Sequence, residues 1–195
     1  MKKMDPRVKK TRKFLKEALI DLIEDKGFEA ITVGNLAEKA EINRVTFYQH
    51  YHDKYDLLEQ TIETMLKDLI ITVAPHKREE LLVTHKDETN NVYLQLFQFV
   101  FDHQSFFKTM LGQNGTTLFQ NRMTISIQEF VADTLAQLAP NEKNAKVPRE
   151  IVVHYVAAAS IGLIKYWVQN GMTYSPNYMA KQLTFLERNG PINAV

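Results

Sequence analysis

The sequence predicts an all-α protein, and three observations carry that reading. Apolar residues recur at three- and four-residue intervals through every long segment, the period of a buried helix face. Only 7 glycines and 6 prolines punctuate 195 residues. Ser, Thr, Asn or Asp stands where most of the stripes begin, and such side chains accept hydrogen bonds from the orphan N–H groups of a helix start.

The elements follow in order. Asp5-Pro6 gives a cap and a first-turn proline, and Phe14, Leu15, Ala18, Leu19, Leu22 and Ile23 form a stripe that Gly27 closes. Thr32 caps a second, short helix that turns Leu36, Ala37 and Ala40 inward. Glu41-Ile42-Asn43 is a tight turn, and Asn43 caps a third short helix from Arg44 to about Tyr51. Asp53 caps a fourth, with Leu57, Leu58, Ile62, Met65, Leu66, Leu69, Ile70 and Val73 on one stripe that stops before Pro75. Residues 75–90 are mostly polar and predict a loop or a short frayed helix. Helices are then expected over about 90–103 and 104–111, with a turn at Gly112 and Gly115. A long helix over 118–138, a loop over 141–146 and a helix over 148–170 come next. Ser175-Pro176 opens the last helix. The 148–170 segment is apolar on nearly every face, so it must be covered all round.

Composition narrows the function classes. With 45% apolar and 24% charged residues the chain is an ordinary globular protein rather than a disordered tail. The absence of cysteine excludes a disulfide framework, a thiolate zinc site and a cysteine nucleophile. The six histidines show no metal-binding spacing, so neither a metal nor another cofactor is expected. No apolar run follows the N-terminal lysines and no 18 consecutive apolar residues occur, so neither a secretion signal nor a membrane span is expected, and a cytoplasmic location follows. The net charge of +1 conceals an asymmetry. Residues 1–16 hold eight basic side chains and one acid, whereas residues 17–60 hold four basic and ten acidic ones. A basic end on a near-neutral chain suits a polyanion; the plain alternative is a solvated helix start.

Two short helices joined by a tight turn and buttressed by a preceding helix make a helix-turn-helix layout, whose second helix enters the DNA major groove. Arg44 at its start can bond guanine O6 and N7, and Gln49 can bond adenine in the same bidentate way. Tyr48 and Thr46 offer hydroxyls to phosphate oxygens, and Lys54 sits in the first turn of the next helix, where backbone N–H groups also favour an anion.

These residues resemble the DNA-binding domain of the TetR family of bacterial regulators. The resemblance rests on Thr32-Val33, Leu36-Ala37, the run from Ile42 to Tyr51, Asp53-Lys54 and Leu57-Leu58, and it covers roughly residues 8–58. Glu41 stands where that family often has glycine, and Val45 where it often has a smaller residue. The resemblance implies phosphate contacts at Thr46, Tyr48 and Lys54 and base reading at Arg44, Val45, Gln49 and His50; Thr32 and Asn43 complete the DNA-contacting set. Tyr166-Trp167-Val168-Gln169-Asn170-Gly171-Met172 with Ser175-Pro176 is similar to the C-terminal region of a Gram-positive subset related to dihydroxyacetone-kinase operon regulators.

The expected organisation is therefore an N-terminal three-helix DNA-binding module over residues 1–52 and a C-terminal helical bundle over 53–195 for dimerisation and effector sensing. A homodimer would read a pseudo-palindromic operator, more in the manner of a repressor, with Ala159, Gly162, Leu163, Tyr166, Leu183 and Leu186 at the dimer interface. The effector is either an apolar small molecule held among the many C-terminal aromatics or a protein co-regulator, the latter with an activator role open. An enzyme reading has only Ser105 and Lys108 as nucleophile and base, and lacks the partner motifs such chemistry needs.

Overall fold

Caps set most of the helix starts. In a computed structural model, which describes residues 5–74, 91–141 and 145–192, Asp5 Oδ1 accepts from the Arg7 N–H at 2.8 Å, and the Thr32 hydroxyl accepts from the Asn35 N–H at 3.2 Å. Asn43 Oδ1 accepts from the Val45 N–H, Asp53 Oδ1 from the Asp56 N–H and Ser175 Oγ from the Tyr178 N–H. Among the described residues the chain is helical throughout, with no strand: α1 (Pro6–Lys26), α2 (Val33–Lys39), α3 (Arg44–Tyr48), α4 (Lys54–Val73), α5 (Asn91–Asp102), α6 (Gln104–Leu111), α7 (Thr117–Leu138), α8 (Arg149–Gln169) and α9 (Pro176–Asn189). The expectation for 75–90, and half of that for 141–146, falls outside the described residues.

The third helix is shorter than its pattern suggests. α3 ends at Tyr48, and the chain tightens as the His50 N–H bonds to the Phe47 carbonyl three residues back. The Tyr51 N–H then bonds to the same carbonyl. This tight last turn satisfies carbonyls that a helix end leaves over.

The chain packs as two compact units, Met1–Met65 with Ser105–Gln120, and Leu66–Gln104 with Asn121–Val195. The division runs within α4 and within α7. In the first unit α1 packs on α2, and α2 on α3, over a core of Leu15, Leu19, Ile23, Leu36, Phe47 and Leu57. Each such fully buried side chain contributes about 1.5–3 kcal/mol. Phe106 and Phe107 meet Phe119 edge to face in the same unit. The turn after α6 is tied to the end of α1, because Asn114 Nδ2 donates to the Glu24 carbonyl at 2.9 Å, one of the last four carbonyls of α1. Gly115 is required there: a Cβ would lie 2.1 Å from the Met110 carbonyl oxygen.

The second unit packs α5 on α9. Trp167 is buried edge-on to Phe97, and its indole N–H donates to the Tyr174 carbonyl at 2.9 Å. α8 buries one face, Val153, Ala157, Ser160, Ile164, Trp167 and Val168. Its other faces carry Ile151, Tyr155 and Tyr166, each more than half exposed. His154, Ser160 and Lys165 interrupt its apolar run, yet by length and composition α8 is apolar enough to cross a membrane. Within one chain, then, it is not covered all round.

Candidate nucleic-acid interface

The turn between α2 and α3 fixes the interface. The Ile42 N–H reaches the Ala37 carbonyl and the Glu41 N–H the Glu38 carbonyl, the paired bonds of a Schellman ending. That ending puts Glu41 at φ 54°, in the left-handed region where glycine rests without strain. The departure from glycine at this position is thus tolerated at a cost in backbone strain, and the turn keeps its geometry.

From that turn α3 buries Phe47 alone among its own residues, and Tyr51 is buried just beyond. Arg44, Val45, Tyr48 and Gln49 are exposed, while Thr46 and His50 are half-buried. Val45 and Tyr48 are 65% and 59% exposed. The Arg44 guanidinium lies against Gly34 at the start of α2, in space a side chain there would fill. Thr32 and Asn43 are engaged as caps: Thr32 forms a reciprocal box with Asn35, and Asn43 holds the first turn of α3.

A groove runs between α1 and α3, lined by Arg7, Val8, Thr11 and Arg12 on one side and Thr46, Gln49 and His50 on the other. Arg7, Lys9, Lys10 and Lys13 are exposed along the same helix. Arg12 lies over the Tyr51 ring, 5.6 Å from its centroid. Its Nε and the Tyr51 hydroxyl are both buried without a hydrogen-bond partner. Burial, and then the Arg12 charge, lower the His50 pKa, so its imidazole is mainly neutral at pH 7. The sequence reading counted Arg12 only as one of eight basic residues. The signal for more was its spacing: Arg12 stands three and seven residues before Leu15 and Leu19, on the stripe that faces inward.

Lys54 is placed differently from a free phosphate ligand. Its ammonium donates to the carbonyls of Phe28 and Glu29, at 3.2 and 3.0 Å, and lies 4.8 Å from the Phe28 ring centroid. Only 15% of its side chain is exposed. Two of its three N–H groups clamp the loop after α1, and the Glu29 carboxylate already lies 3.9 Å from the ammonium.

The second unit holds a cavity of about 430 Å³. It is walled by Leu69 and Val73 of α4, Leu96 of α5, Phe130 and Leu135 of α7 and Val156 of α8. At one side the Tyr93 hydroxyl donates to Glu187 Oε1, and burial pushes both groups' pKa values up.

A capped recognition helix beside a basic helix, in a chain whose other unit is helical and holds a cavity, defines a helix-turn-helix transcriptional regulator. Residues 15–61 match the family described as bacterial regulatory proteins, tetR family, and residues 87–187, over half the chain, match a TetR C-terminal family described as transcriptional regulator C-terminal region. The chain belongs to the TetR family of bacterial transcriptional regulators. It is 30% identical over 172 residues to YxbF, an uncharacterized HTH-type transcriptional regulator of Bacillus subtilis (strain 168), a match spanning 87% of this chain and 42% of YxbF. The chain thus spans less than half the length of that curated relative. Two solved structures share the fold. The dihydroxyacetone kinase operon activator DhaS has a TM-score of 0.61 at 19% identity, covering 90% of this chain and 93% of DhaS. The fatty acid degradation regulator FadR from Bacillus halodurans has a TM-score of 0.70 at 13% identity, covering 98% and 100%. The family and the all-α class read from the sequence are borne out, and the enzyme reading on Ser105 and Lys108 falls away because the family is one of transcriptional regulators.

Proposed function

We propose that this chain is a homodimeric repressor that binds a pseudo-palindromic operator and releases it when an effector occupies the C-terminal unit. In this reading residues 1–52 contact DNA and residues 53–195 dimerise and sense the effector in the cytoplasm. The observation that carries the DNA role is the groove between α1 and α3, basic on one wall and lined by hydrogen-bonding side chains on the other. A phosphate strand along it would pair with the exposed basic side chains of α1, Arg7, Lys9, Lys10 and Lys13. Arg44 and Gln49 then read guanine and adenine edges, with His50 beside them, and Val45 meets a thymine methyl. Thr46, Tyr48 and Lys54, the last by exchanging the Glu29 carboxylate for a phosphate, position the backbone, and the caps Thr32 and Asn43 hold the helix starts against it.

Dimerisation is supported by the exposed apolar surface of α8. Ala159, Gly162, Leu163 and Tyr166 share one face with Tyr155, and all keep solvent exposure in the single chain. Leu186 on α9 is half-buried, whereas Leu183 is 1% exposed and serves the core of its own subunit. Small residues at 158, 159 and 162 let a second helix approach closely, so α8 and α9 of two subunits can make a four-helix bundle about a two-fold axis. The small-molecule reading of the effector is supported by a cavity within the range of about 300–1,000 Å³ usual for such ligands.

Selection of bound sequences from random duplex DNA tests the reading. It should return an inverted repeat, and binding to that repeat should weaken with salt at a slope of about −0.9 per phosphate neutralised. A single unrepeated half-site, or affinity indifferent to salt, would reject it.

A further inference from the structure

We propose that the cavity of the second unit takes an apolar ligand carrying a hydrogen-bond donor, an amine or an alcohol, and discriminates against carboxylates, with Glu187 as the group that decides. The proposal rests on the reading of this unit as the effector-sensing one and adds the ligand's chemistry.

The walls supply apolar surface from α4, α5, α7 and α8, and the few polar groups on them are Tyr93, Thr134, Tyr155, Ser160 and Glu187. Among the described residues that line it there is no Lys, Arg or His. Glu187 keeps solvent exposure as a residue and also lines the cavity, which puts its carboxyl at the mouth. One oxygen, Oε1, accepts from the buried Tyr93 hydroxyl. That bond uses the only proton the phenol has and fixes the carboxyl in place. The other oxygen remains an acceptor.

These facts sort ligand headgroups. An alkyl carboxylate entering with its tail inward would bring its charge beside Glu187, with no cation in the described lining to pair with and the Tyr93 proton already taken. Burying an unpaired charge against a like charge is the least favourable arrangement available. An amine donates to the second carboxyl oxygen, and its charge pairs with Glu187 in a charge-assisted bond. Burial raises the Glu187 pKa, and a cation beside it counteracts that by favouring the ionised form. An alcohol donates as well, without the charge.

The test uses the full-length protein and three probes of equal chain length, nonylamine, nonanol and nonanoate, at concentrations below micelle formation. Binding is read by calorimetry, and release of selected operator DNA by fluorescence anisotropy. Nonylamine should bind at least about tenfold more tightly than nonanoate, the equivalent of one charge-assisted hydrogen bond, with nonanol between them. Glu187→Gln, which keeps shape and loses charge, should collapse that ratio to within about threefold while the variant still binds nonanol. Val156→Trp, which fills the cavity, should remove binding of all three. Nonanoate binding as tightly as nonylamine, or a ratio unmoved by Glu187→Gln, would overturn the headgroup proposal and leave the effector-sensing reading standing. Failure of all three probes to bind, with operator affinity unchanged by Val156→Trp, would overturn both.

Discussion

α3 and α8 expose their residues for opposite reasons. α3 has five residues, buries one of them and turns hydroxyl and guanidinium groups outward. α8 has 21 residues, buries six of them on one face, and leaves Ile151, Tyr155 and Tyr166 to solvent. A five-residue helix is far too short to be stable alone, so its shape is imposed by Phe47, by the Asn43 cap and by the turn before it. A 21-residue helix closes many internal hydrogen bonds along its length, and its shape says little about its use. The difference teaches how to read exposure. Outward polar groups on a rigidly held stub suit a wet, charged partner, and outward apolar groups on a long helix suit another protein surface.

Four tests press on this contrast, from the largest expected effect to the smallest. Phe47→Ala should remove the support of α3, costing about 3–5 kcal/mol as a buried aromatic deletion. Thermal denaturation should show the loss, and operator binding should vanish with it; wild-type stability would mean that α3 is held by its caps alone. Ala159→Glu puts a charge on the face of α8 proposed to meet its partner. Two such charges facing each other should convert dimer to monomer in sedimentation and abolish operator binding, while helix content by circular dichroism stays unchanged. If the protein sediments as a monomer before any substitution, the explanation given for the exposed α8 face is lost.

The third test sharpens the α3 side. Arg44→Ala should relax base choice at one position in each half-site at a cost of about 1–3 kcal/mol, whereas Tyr48→Phe should weaken all sequences alike. Parallel binding selections on the two variants separate the roles; altered preference in Tyr48→Phe with none in Arg44→Ala would exchange them. The smallest effect is a gain. Glu41→Gly should relieve the left-handed strain of the turn and, after the added chain entropy of glycine, stabilise by about 0.5–1 kcal/mol. A small rise in melting temperature with unchanged operator choice is the expected result, and a fall would mean that the Glu41 side chain contributes more than its backbone costs.

The two regions also differ in how far they could be read without coordinates. Around α3 the determinants are local. Asn43 caps two residues on, Thr32 boxes with Asn35, and the turn is closed by bonds spanning three to five residues, so type and spacing carry the design. Lys54 escaped that reading because its partners are backbone carbonyls at 28 and 29, which leave no mark in residue type. Arg12 was visible as a charge and invisible as a buried group. In the second unit the helix stripes were legible, but a stripe does not say whether its owner's core or another chain covers it. Leu183 turned out to face its own core and Tyr166 to face solvent. The cavity was not legible at all, since a void is the space left between walls from five helices distant in sequence.

Trp167 has one more use. It is the chain's single tryptophan, it is buried, and it sits wholly within the second unit, edge-on to Phe97 and bonded through its indole N–H to the Tyr174 carbonyl. Its emission therefore reports on that unit alone, whereas far-ultraviolet dichroism sums helices from both. Overlaid denaturation curves from the two signals would reveal whether the halves melt as one cooperative body or in sequence, without a label or a truncated chain. For a protein whose proposed regulation turns on one half informing the other, the genome has already installed the reporter on the receiving side.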